Sequence, residues 1–413
     1  MSLFVRDARV VTGVGHDGDG HNGHDGHGDA DAIATPAPAR AHLRVEGDRI
    51  AAVGPDLEPQ ADDQILEAAG RVVMPGFVDA HTHALWAGDR LDEFEQHQQG
   101  ASYLQILAAG GGILATVRAV RAASPDELAA RLRRRLLHLL NEGTTTVEVK
   151  SGYGLTTEHE LKMLRAIRAA ALAFPGTVVP TALLGHAIDR DQPHFVDRVV
   201  TETLPAVHAE FPGIAVDAFC EEGAWSLADC RRLLEAARAL GHPVRLHADQ
   251  FHRLGGVDLA IELGARSVDH LEATPADDLA RLARAGIAGV LLPASGFHTD
   301  GRYANARALL DAGGDLVLAS NCNPGSSPTS SMPFVMALAR RQLRLTTGEA
   351  IAAVTARPAA LLGLPDRGRV APGLRADLIL LRHDDERQLG YELGGNPVDL
   401  TIAGGSIFEH TGR

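Results

Sequence analysis

Short apolar segments rich in β-branched residues alternate with Ala/Leu/Arg-rich segments through the middle of this chain. Eight of the apolar segments have the length and composition of buried strands, and the segments between them have helical periodicity. The predicted strands cover 72–81, 144–151, 177–186, 215–222, 243–249, 266–272, 287–295 and 316–322. Strands alternating with helices form parallel βαβ units, and eight of them favour a closed (β/α)8 TIM-like barrel over an open sheet.

Both ends of the chain also carry β-like segments, separated by turn residues. Their ranges are 3–12, 43–54, 368–381 and 398–410. We expect the two ends to come together as one small β-sandwich domain beside the barrel. The predicted division assigns 1–72 and 366–413 to this β-domain and 73–365 to the barrel.

A Gly/Asp/His-rich insert at about 14–40 separates the first two terminal strands. Such low-complexity composition is typical of a disordered, solvated loop. The insert carries four histidines, His16, His21, His24 and His27. Flexible His/Asp tracts can bind zinc or nickel weakly, but nothing in this spacing fixes a coordination geometry. The solvated loop is therefore the favoured interpretation, with adventitious metal binding as the alternative.

Composition excludes several classes of protein. The chain has 413 residues, 45% of them apolar, and a formal net charge of −14, which argues against a nucleic-acid or anionic-membrane partner. No apolar run approaches the roughly 18 residues that a membrane span needs. Three cysteines without a CxxC spacing predict a reducing, cytoplasmic environment rather than a disulfide framework.

Polar side chains recur at the C-terminal ends of the predicted barrel strands. They are His81, His83, His186, His247, His270 and Asn321. The C-terminal ends of barrel strands meet at one mouth, where active sites lie. Because alternate residues of a strand point the same way, His81 and His83 can reach one ion together. Repeated imidazoles at one mouth are hard to explain as packing, so the sequence predicts a metal site there.

Seven segments of the central region resemble a known family. PGFVDAHTHALWAGDR (75–90) resembles the first metal-binding segment of the amidohydrolase superfamily. The other six resemble, more narrowly, the imidazolonepropionase family: VKSGYGL (149–155), LLGHA (183–187), DAFCEEGAW (217–225), LHADQFHRLGG (246–256), SVDHLE (267–272) and NCNPGSSPTSSM (321–332). The resemblance implies hydrolysis of 4-imidazolone-5-propanoate to N-formimino-L-glutamate, in histidine catabolism, by a metal-activated water. The alternative is a related cyclic amidohydrolase or deaminase, and KSGYGL and NPGSS favour the first.

The resemblance also implies a role for each residue that matches the family's motifs. One Zn²⁺ or Fe ion per chain would be held by His81, His83, His247 and Asn321. The small anionic cyclic substrate would contact Arg90, Tyr153, His186, Gln250, Asn323, Gly325 and Ser326, with the guanidinium of Arg90 on its carboxylate. The catalytic residues would be His270, Gln250 and Asn321, with His270 assisting the attacking water. A homodimer is a further expectation from the family.

Asn321 departs from the family's pattern, which places an aspartate at the end of the last strand. An aspartate there both ligates the metal and takes the water's proton, whereas an amide ligates weakly and cannot accept that proton. Three interpretations stay open. The chain is an inactive engineered variant or a divergent natural member; it uses His270 as its sole base at a reduced rate; or it binds metal poorly and serves another purpose. We favour membership of the family.

The sequence also suggests an interpretation for three further polar residues near these motifs. Lys150 is interpreted as a structural residue paired with Glu148 rather than as a metal-bridging lysine. Asp249 either supports the metal site behind His247 or forms an ion pair inside the barrel. The side chain of Cys322 is expected to point away from the site, and no base partner is placed to make it a nucleophile.

Overall fold

The computed structural model describes residues 2–13, 39–100 and 111–409 of the chain. Within these ranges the strands fall into two sheets, one from both ends of the chain and one from its middle. In chain order they are β1 (Ser2–Val10), β2 (Ala39–Glu46), β3 (Arg49–Gly54), β4 (Asp63–Glu67), β5 (Val72–Pro75), β6 (Phe77–Asp79), β7 (Thr144–Lys150), β8 (Thr177–Gly185), β9 (Ala215–Cys220), β10 (Val244–Ala248), β11 (Ser267–His270), β12 (Ala288–Leu291), β13 (Leu316–Leu318), β14 (Leu378–Leu381), β15 (Val398–Ala403) and β16 (Ser406–Glu409).

The terminal sheet has the strand order β16-β15-β14-β5-β1-β2-β3, and β4 pairs in parallel with β1. Strand β5 joins the two ends, because it pairs in parallel with β1 and antiparallel with β14. Leu43, Ile50 and Leu378 are fully buried in its own apolar core. The predicted β-domain from both termini is confirmed. The predicted disordered loop and its four histidines lie, up to residue 38, outside the described residues.

The second sheet is the predicted barrel. Its eight parallel strands within the described ranges run in the order β13-β12-β11-β10-β9-β8-β7-β6, which is sequence order reversed. Alternate side chains of β7 show why every residue of this strand is buried. Val147 and Val149 pack in the apolar core that includes the surrounding helices, whereas Glu148 and Lys150 alternate with them and are also fully buried. On β7, the side chains that alternate with the apolar ones are therefore charged and buried.

Backbone bonds just beyond the strand ends close the barrel between its first and last strands. The His83 N–H donates to the Cys322 carbonyl and the Asn321 N–H to the His81 carbonyl, each at 3.0 Å. A parallel bridge pairs Thr82 with Cys322. Residues 81–83 and 321–322 are thereby held side by side at the mouth.

The predicted strand 72–81 is two strands, divided at Gly76. Residues before the glycine pair in the terminal sheet, and β6 after it begins the barrel. A Cβ at position 76 would lie 2.4 Å from Thr145 Oγ1, so the change of sheet passes through a space that only a glycine fits. The predicted strand 287–295 is likewise shorter than expected, because Pro293 starts a helix.

Helices connect the barrel strands and flank them. They are α1 (Leu91–Gln98), α2 (Ile113–Ala122), α3 (Pro125–Asn141), α4 (Thr157–Ala171), α5 (Phe195–Arg198), α6 (Leu204–Glu210), α7 (Leu227–Ala239), α8 (Gly256–Leu263), α9 (Ala276–Arg284), α10 (Pro293–His298), α11 (Ala306–Asp311), α12 (Met332–Gln342), α13 (Thr347–Val354), α14 (Ala356–Leu361) and α15 (Gln388–Tyr391), with a π-helical segment at Val199–Thr203. Ser124, Ser226 and Thr346 cap α3, α7 and α13 through their side-chain oxygens. Among the described helices, none has the length and apolar character to cross a bilayer.

Candidate active site

Three buried imidazoles converge at the barrel mouth. One ring nitrogen from each of His81, His83 and His247 lies within 4.8 Å of the others. The Nε2 atoms of His83 and His247 are 3.5 Å apart. The ring centroids of His81 and His247 are separated by 4.5 Å. The structure thus brings together the three histidines that the sequence predicts as metal ligands.

Carboxylates behind two of these rings fix which nitrogen faces the shared space. Asp269 Oδ2 lies 2.6 Å from His81 Nδ1, and Asp217 Oδ1 lies 3.1 Å from His247 Nδ1. An ionised carboxylate can only accept, so each Nδ1 carries the proton and each Nε2 presents its lone pair. A carboxylate behind an imidazole is the usual way in which proteins orient a metal-binding histidine.

The same carboxylates belong to a buried charge network inside the barrel. Lys150 Nζ donates to Glu148 Oε1 at 2.7 Å and to Asp217 Oδ2 at 2.9 Å. Arg245 donates to Asp269 Oδ2 at 2.7 Å. Burial by itself would raise the pKa of Asp217, but His247 and Lys150 bring that pKa well below its usual value. The structural role predicted for Lys150, with Glu148 as its partner, agrees with these contacts.

The imidazoles are held in the neutral form that a metal requires. Burial, reinforced by Lys150 and neighbouring imidazoles, lowers the pKa of His81 and of His83 well below the ordinary value. Burial and the nearby His247 lower the pKa of His186 to about 3. Neutral imidazole is the form that ligates a cation.

Asn321 is placed beside this trio. Its backbone has a φ of +52°, a left-handed conformation that asparagine tolerates well, and its N–H bonds the carbonyl of His81. Its Oδ1 and the Nε2 of His81 are buried atoms for which the described residues provide no hydrogen-bond partner. Buried polar atoms of this kind need a partner. A divalent cation would satisfy both, so these residues fit a metal.

Arg90 follows the first barrel strand and immediately precedes α1. Its Nη2 bonds Glu93 Oε2, and Glu93 Oε1 accepts from the Gly112 N–H at 3.1 Å. The Nε of Arg90 is buried without a partner among the described residues. A Cβ at Gly325 would lie 3.3 Å from Arg90 Nη1, so the arginine borders the loop after β13. One donor of the guanidinium fork is therefore available to an anion.

Tyr153 and His186 lie beside His83 at the mouth. The ring of His186 stacks on that of His83 at 5.0 Å and lies 5.1 Å from that of Tyr153. His186 Nδ1 bonds the Gly152 carbonyl at 2.9 Å. Gly152 has a φ of +107°, and a Cβ there would lie 3.0 Å from this nitrogen. Two of the three predicted ring-binding residues, Tyr153 and His186, thus lie beside the imidazole trio.

The buried carboxylate of Glu160 holds the loop that carries Tyr153. Its two oxygens accept backbone N–H groups from Gly152 at 2.9 Å, Gly154 at 2.7 Å and Leu155 at 2.8 Å. Burial nevertheless raises the pKa of this carboxyl. Three donors on one carboxylate fix the loop's conformation.

The loop after β13 is held by its own asparagine. Asn323 Oδ1 accepts from the N–H groups of Gly325 and Ser326, both at 2.8 Å, and its Nδ2 donates to the Asn321 carbonyl at 2.6 Å. Asn323, Gly325 and Ser326 are the residues predicted to contact substrate on this loop. The side chain of Asn323 is thus engaged in hydrogen bonds within the loop itself.

Asp249 and Gln250 follow β10 directly. Asp249 Oδ2 accepts from Thr274 Oγ1 at 2.8 Å, so this carboxylate ties two loops together. Its Oδ1 is buried without a hydrogen-bond partner among the described residues, and its backbone has a φ of +57°. Both interpretations offered for it, metal support and an interior ion pair, stay predictions. Gln250 follows and is partly buried.

Sequence reasoning missed several residues that support the site. They are Glu93, Glu160, Asp217, Arg245, Asp269 and Glu272. Glu221, which follows the fourth predicted barrel strand, is expected from the sequence to lie at the mouth in a solvated or supporting role. Glu221 accepts from the Phe251 N–H at 2.8 Å and from His252 Nδ1 at 2.7 Å, pinning the loop after β10. Some signal was present, because Asp217, Arg245 and Asp269 are charged residues inside apolar strands. Cys322 is buried, and burial raises the pKa of its thiol to about 12, which agrees with its expected lack of nucleophilic function.

Comparison with known proteins gives the family. A profile described as the amidohydrolase family matches residues 96–407. A protein named imidazolonepropionase from Herpetosiphon aurantiacus is 49% identical over 89% of this chain and 90% of its own length. The chain belongs to the imidazolonepropionase family. A second relative of that name, from Rubrobacter xylanophilus, is 47% identical over 89% of this chain and 90% of its own.

Solved structures support the fold of this imidazolonepropionase family member. The crystal structure of an amidohydrolase from an environmental sample of the Sargasso Sea matches with a TM-score of 0.68 and 21% identity. The superposition covers 98% of this chain and 92% of the Sargasso Sea protein. At this identity the likeness concerns the architecture alone, and it covers both the barrel and the terminal sheet.

Proposed function

We propose that the chain hydrolyses 4-imidazolone-5-propanoate to N-formimino-L-glutamate. The observation that carries this proposal is the trio of His81, His83 and His247, whose ring nitrogens face one buried space at the mouth. Arg90 offers a cationic group beside the loop after β13, and Tyr153 and His186 offer an aromatic wall beside His83. That combination suits a small planar ring with a carboxylate tail.

One Zn²⁺ or Fe ion, held by the three histidines and Asn321, completes the proposed site. Three imidazoles suit both metals. Such an ion supplies Lewis-acid chemistry, polarising the ring carbonyl and bringing the pKa of water toward about 7. Nitrogen ligands turned inward by Asp217 and Asp269 support this part of the proposal.

The protein's own residues bind, orient and move protons. Arg90 takes the propionate, and Tyr153, His186 and Gln250 hold the ring, as the resemblance implies. His270 takes a proton from water as the water oxygen bonds to the carbonyl carbon, and returns it to the ring nitrogen as the C–N bond breaks. The water oxygen ends in the new carboxylate, and both water protons end on the nitrogens of the opened chain.

The cyclic amidohydrolase or deaminase alternative has less support. The relatives that cover about nine-tenths of the chain carry the imidazolonepropionase name, and the solved structures of other amidohydrolases match at far lower identity. An inactive member is a further alternative because of Asn321. A cytoplasmic homodimer remains part of the proposal, on the family resemblance and on three free cysteines.

The test is turnover of the imidazolone by protein reconstituted separately with Zn²⁺ and with Fe²⁺. We expect loss of the ring's ultraviolet absorbance and appearance of N-formimino-L-glutamate by mass spectrometry. Chelation should abolish turnover and the matching metal should restore it. His83→Asn, which removes one ligand, is the matched negative, and His208→Asn, far from the mouth, is the control. Deamination of cytosine or of a triazine without imidazolone turnover would favour the alternative class.

A further inference from the structure

The position of Asn321 raises the question of which group accepts the proton of the attacking water. An amide oxygen accepts a hydrogen bond but takes no proton near neutral pH, and the same is true of Gln250. The carboxylates of Asp217, Asp269 and Glu148 lie behind the imidazoles and are bonded to Lys150, Arg245 or the rings. These bonds hold the three carboxylates behind the rings, which favours an imidazole at the mouth as the base.

His270 is the imidazole at the mouth that remains after the metal trio and His186. Its ring centroid lies 6.0 Å from that of His81 and 5.7 Å from that of His247, so it borders the same space. Its side chain is only 4% exposed. It ends β11 on unusual backbone, with a φ of +90° at His270 and +72° at Leu271. Such conformations are costly for residues with a Cβ and occur where a function requires a particular placement.

Glu272 is the partner that this backbone brings to His270. Its Oε1 lies 3.3 Å from His270 Nδ1, and its side chain is 6% exposed. Its Oε2 is buried, and no described residue bonds it. A buried carboxylate normally has several partners or an arginine, because leaving it unsatisfied costs free energy. Among the described residues, His270 is the hydrogen-bond partner found for this one.

We propose that Glu272 is a positioning residue that makes His270 the base of the reaction and compensates for the amide at position 321. The carboxylate accepts a hydrogen bond from His270 Nδ1–H, which leaves the Nε2 lone pair free to take a proton. It also stabilises the imidazolium that exists while the O–C bond has formed and the C–N bond has not broken. The arrangement follows the general logic of a base oriented by a carboxylate. It rests on the proposed function.

The experiment compares Glu272→Gln, which keeps an acceptor without charge, with Glu272→Met, which removes both. We expect kcat to fall in the order parent, Gln, Met, by roughly 10- to 100-fold for Met, with KM within about twofold. Metal content should be unchanged. Glu222→Gln, an exposed carboxylate after β9, removes the same charge and is the control. Glu272→Asp should recover part of the kcat lost in Glu272→Met.

Repeating the series in Asn321→Asp protein separates positioning from a merely structural effect. A carboxylate at 321 offers a second base, so the loss caused by Glu272→Met should shrink to about threefold or less. An equal loss in both backgrounds, or a parallel loss of metal, overturns the inference. So does a Glu272→Met protein that turns over as fast as its parent.

A nitrogen spectrum decides the inference independently of turnover. In metal-free, ¹⁵N-histidine protein, we expect His270 as the Nδ1–H tautomer, assigned by its disappearance in His270→Asn, and a shift toward Nε2–H in Glu272→Met. An Nε2–H tautomer in the parent overturns the proposal. If the tautomers behave as expected while neither the parent nor Asn321→Asp opens the imidazolone ring, the proposed function has failed and the pairing of Glu272 with His270 has not.

Discussion

Some buried polar atoms at the mouth have hydrogen-bond partners within the protein, and others have none among the described residues. The nitrogens of His81 and His247 that face the barrel interior are bonded, whereas Oδ1 of Asn321 and Nε2 of His81 are not. Buried polar atoms without partners mark places where a ligand completes the structure.

Asn321→Asp should increase metal retention and turnover. A carboxylate adds a charged oxygen ligand at a position whose left-handed backbone suits Asp as well as Asn. We expect a roughly tenfold or greater gain in kcat, since general base catalysis contributes about 10²- to 10⁴-fold. Metal content after dialysis and steady-state kinetics measure it. Asn323→Asp, which adds the same charge two residues on, should not raise metal content. If neither quantity rises in Asn321→Asp, residue 321 is not a ligand.

Arg90→Lys should raise KM for the anionic substrate by roughly 10-fold or more and leave kcat within about threefold. Lysine keeps the charge but lacks the planar fork, of which Nε is available and Nη2 is bonded to Glu93. A substrate analogue with a neutral propionamide tail should lose most of the difference between the two proteins. Equal KM values for the acid with both proteins would remove Arg90 from the substrate's carboxylate.

Carboxylates on neighbouring elements hold the segments that follow two of the barrel strands. The segment from Gly152 to Leu155 follows β7 directly and is clamped by Glu160 in the first turn of α4. Glu221, after β9, does the same for the segment after β10. The position of these two segments therefore depends on carboxylates that bond their backbone N–H groups.

Glu160→Gln should destabilise the fold by about 1–3 kcal/mol and raise KM. The amide cannot accept all three backbone N–H groups, because one of its two polar atoms is a donor. Thermal melting and steady-state kinetics measure the two effects. Glu158→Gln, exposed on the same helix, is the matched control and should change neither. An unchanged KM in Glu160→Gln would mean that Tyr153 does not depend on this clamp for its position.

The order of strands and the mouth histidines could be predicted from the sequence, but the clamps could not. Alternating apolar segments give the barrel, and HxH with single histidines at later strand ends gives the metal trio, since both are local patterns. Glu160 binds residues five to eight positions before it, and Glu272 binds two before it on left-handed backbone. Neither pairing follows the periodic spacing of a helix or a strand, so the sequence pattern does not reveal it. The proposed domain boundaries remain predictions.

The whole molecule holds neutral histidines in its interior, and this gives its stability a dependence on pH. The pKa of His186 is about 3 in the fold and about 6.5 in an unfolded chain. Below pH 6.5 the unfolded chain binds a proton that the folded protein does not, so stability falls as pH falls.

For metal-free protein, we expect His186 to account for about 1.3 kcal/mol of lost stability between pH 7 and pH 5.5. Chemical denaturation at a series of pH values measures it. His186→Asn should flatten the curve by this amount. The difference between the two proteins isolates His186 from buried carboxyls such as Asp79, whose pKa burial raises to about 7 and whose effect has the opposite sign. Parallel curves would mean that His186 is protonated within the fold.

The join between the first and last barrel strands has one more consequence. Two backbone hydrogen bonds and the bridge at Thr82 complete the ring of strands. The proposed metal ligands lie on both sides of this junction, with His81 and His83 after the first barrel strand and Asn321 after the last. An ion bound from both sides would cross-link the first and last barrel strands. Removing the metal should therefore weaken the pairing at this junction, and in a hydrogen-exchange experiment the amides of His83 and Asn321 should exchange with solvent sooner than those of β9 and β10.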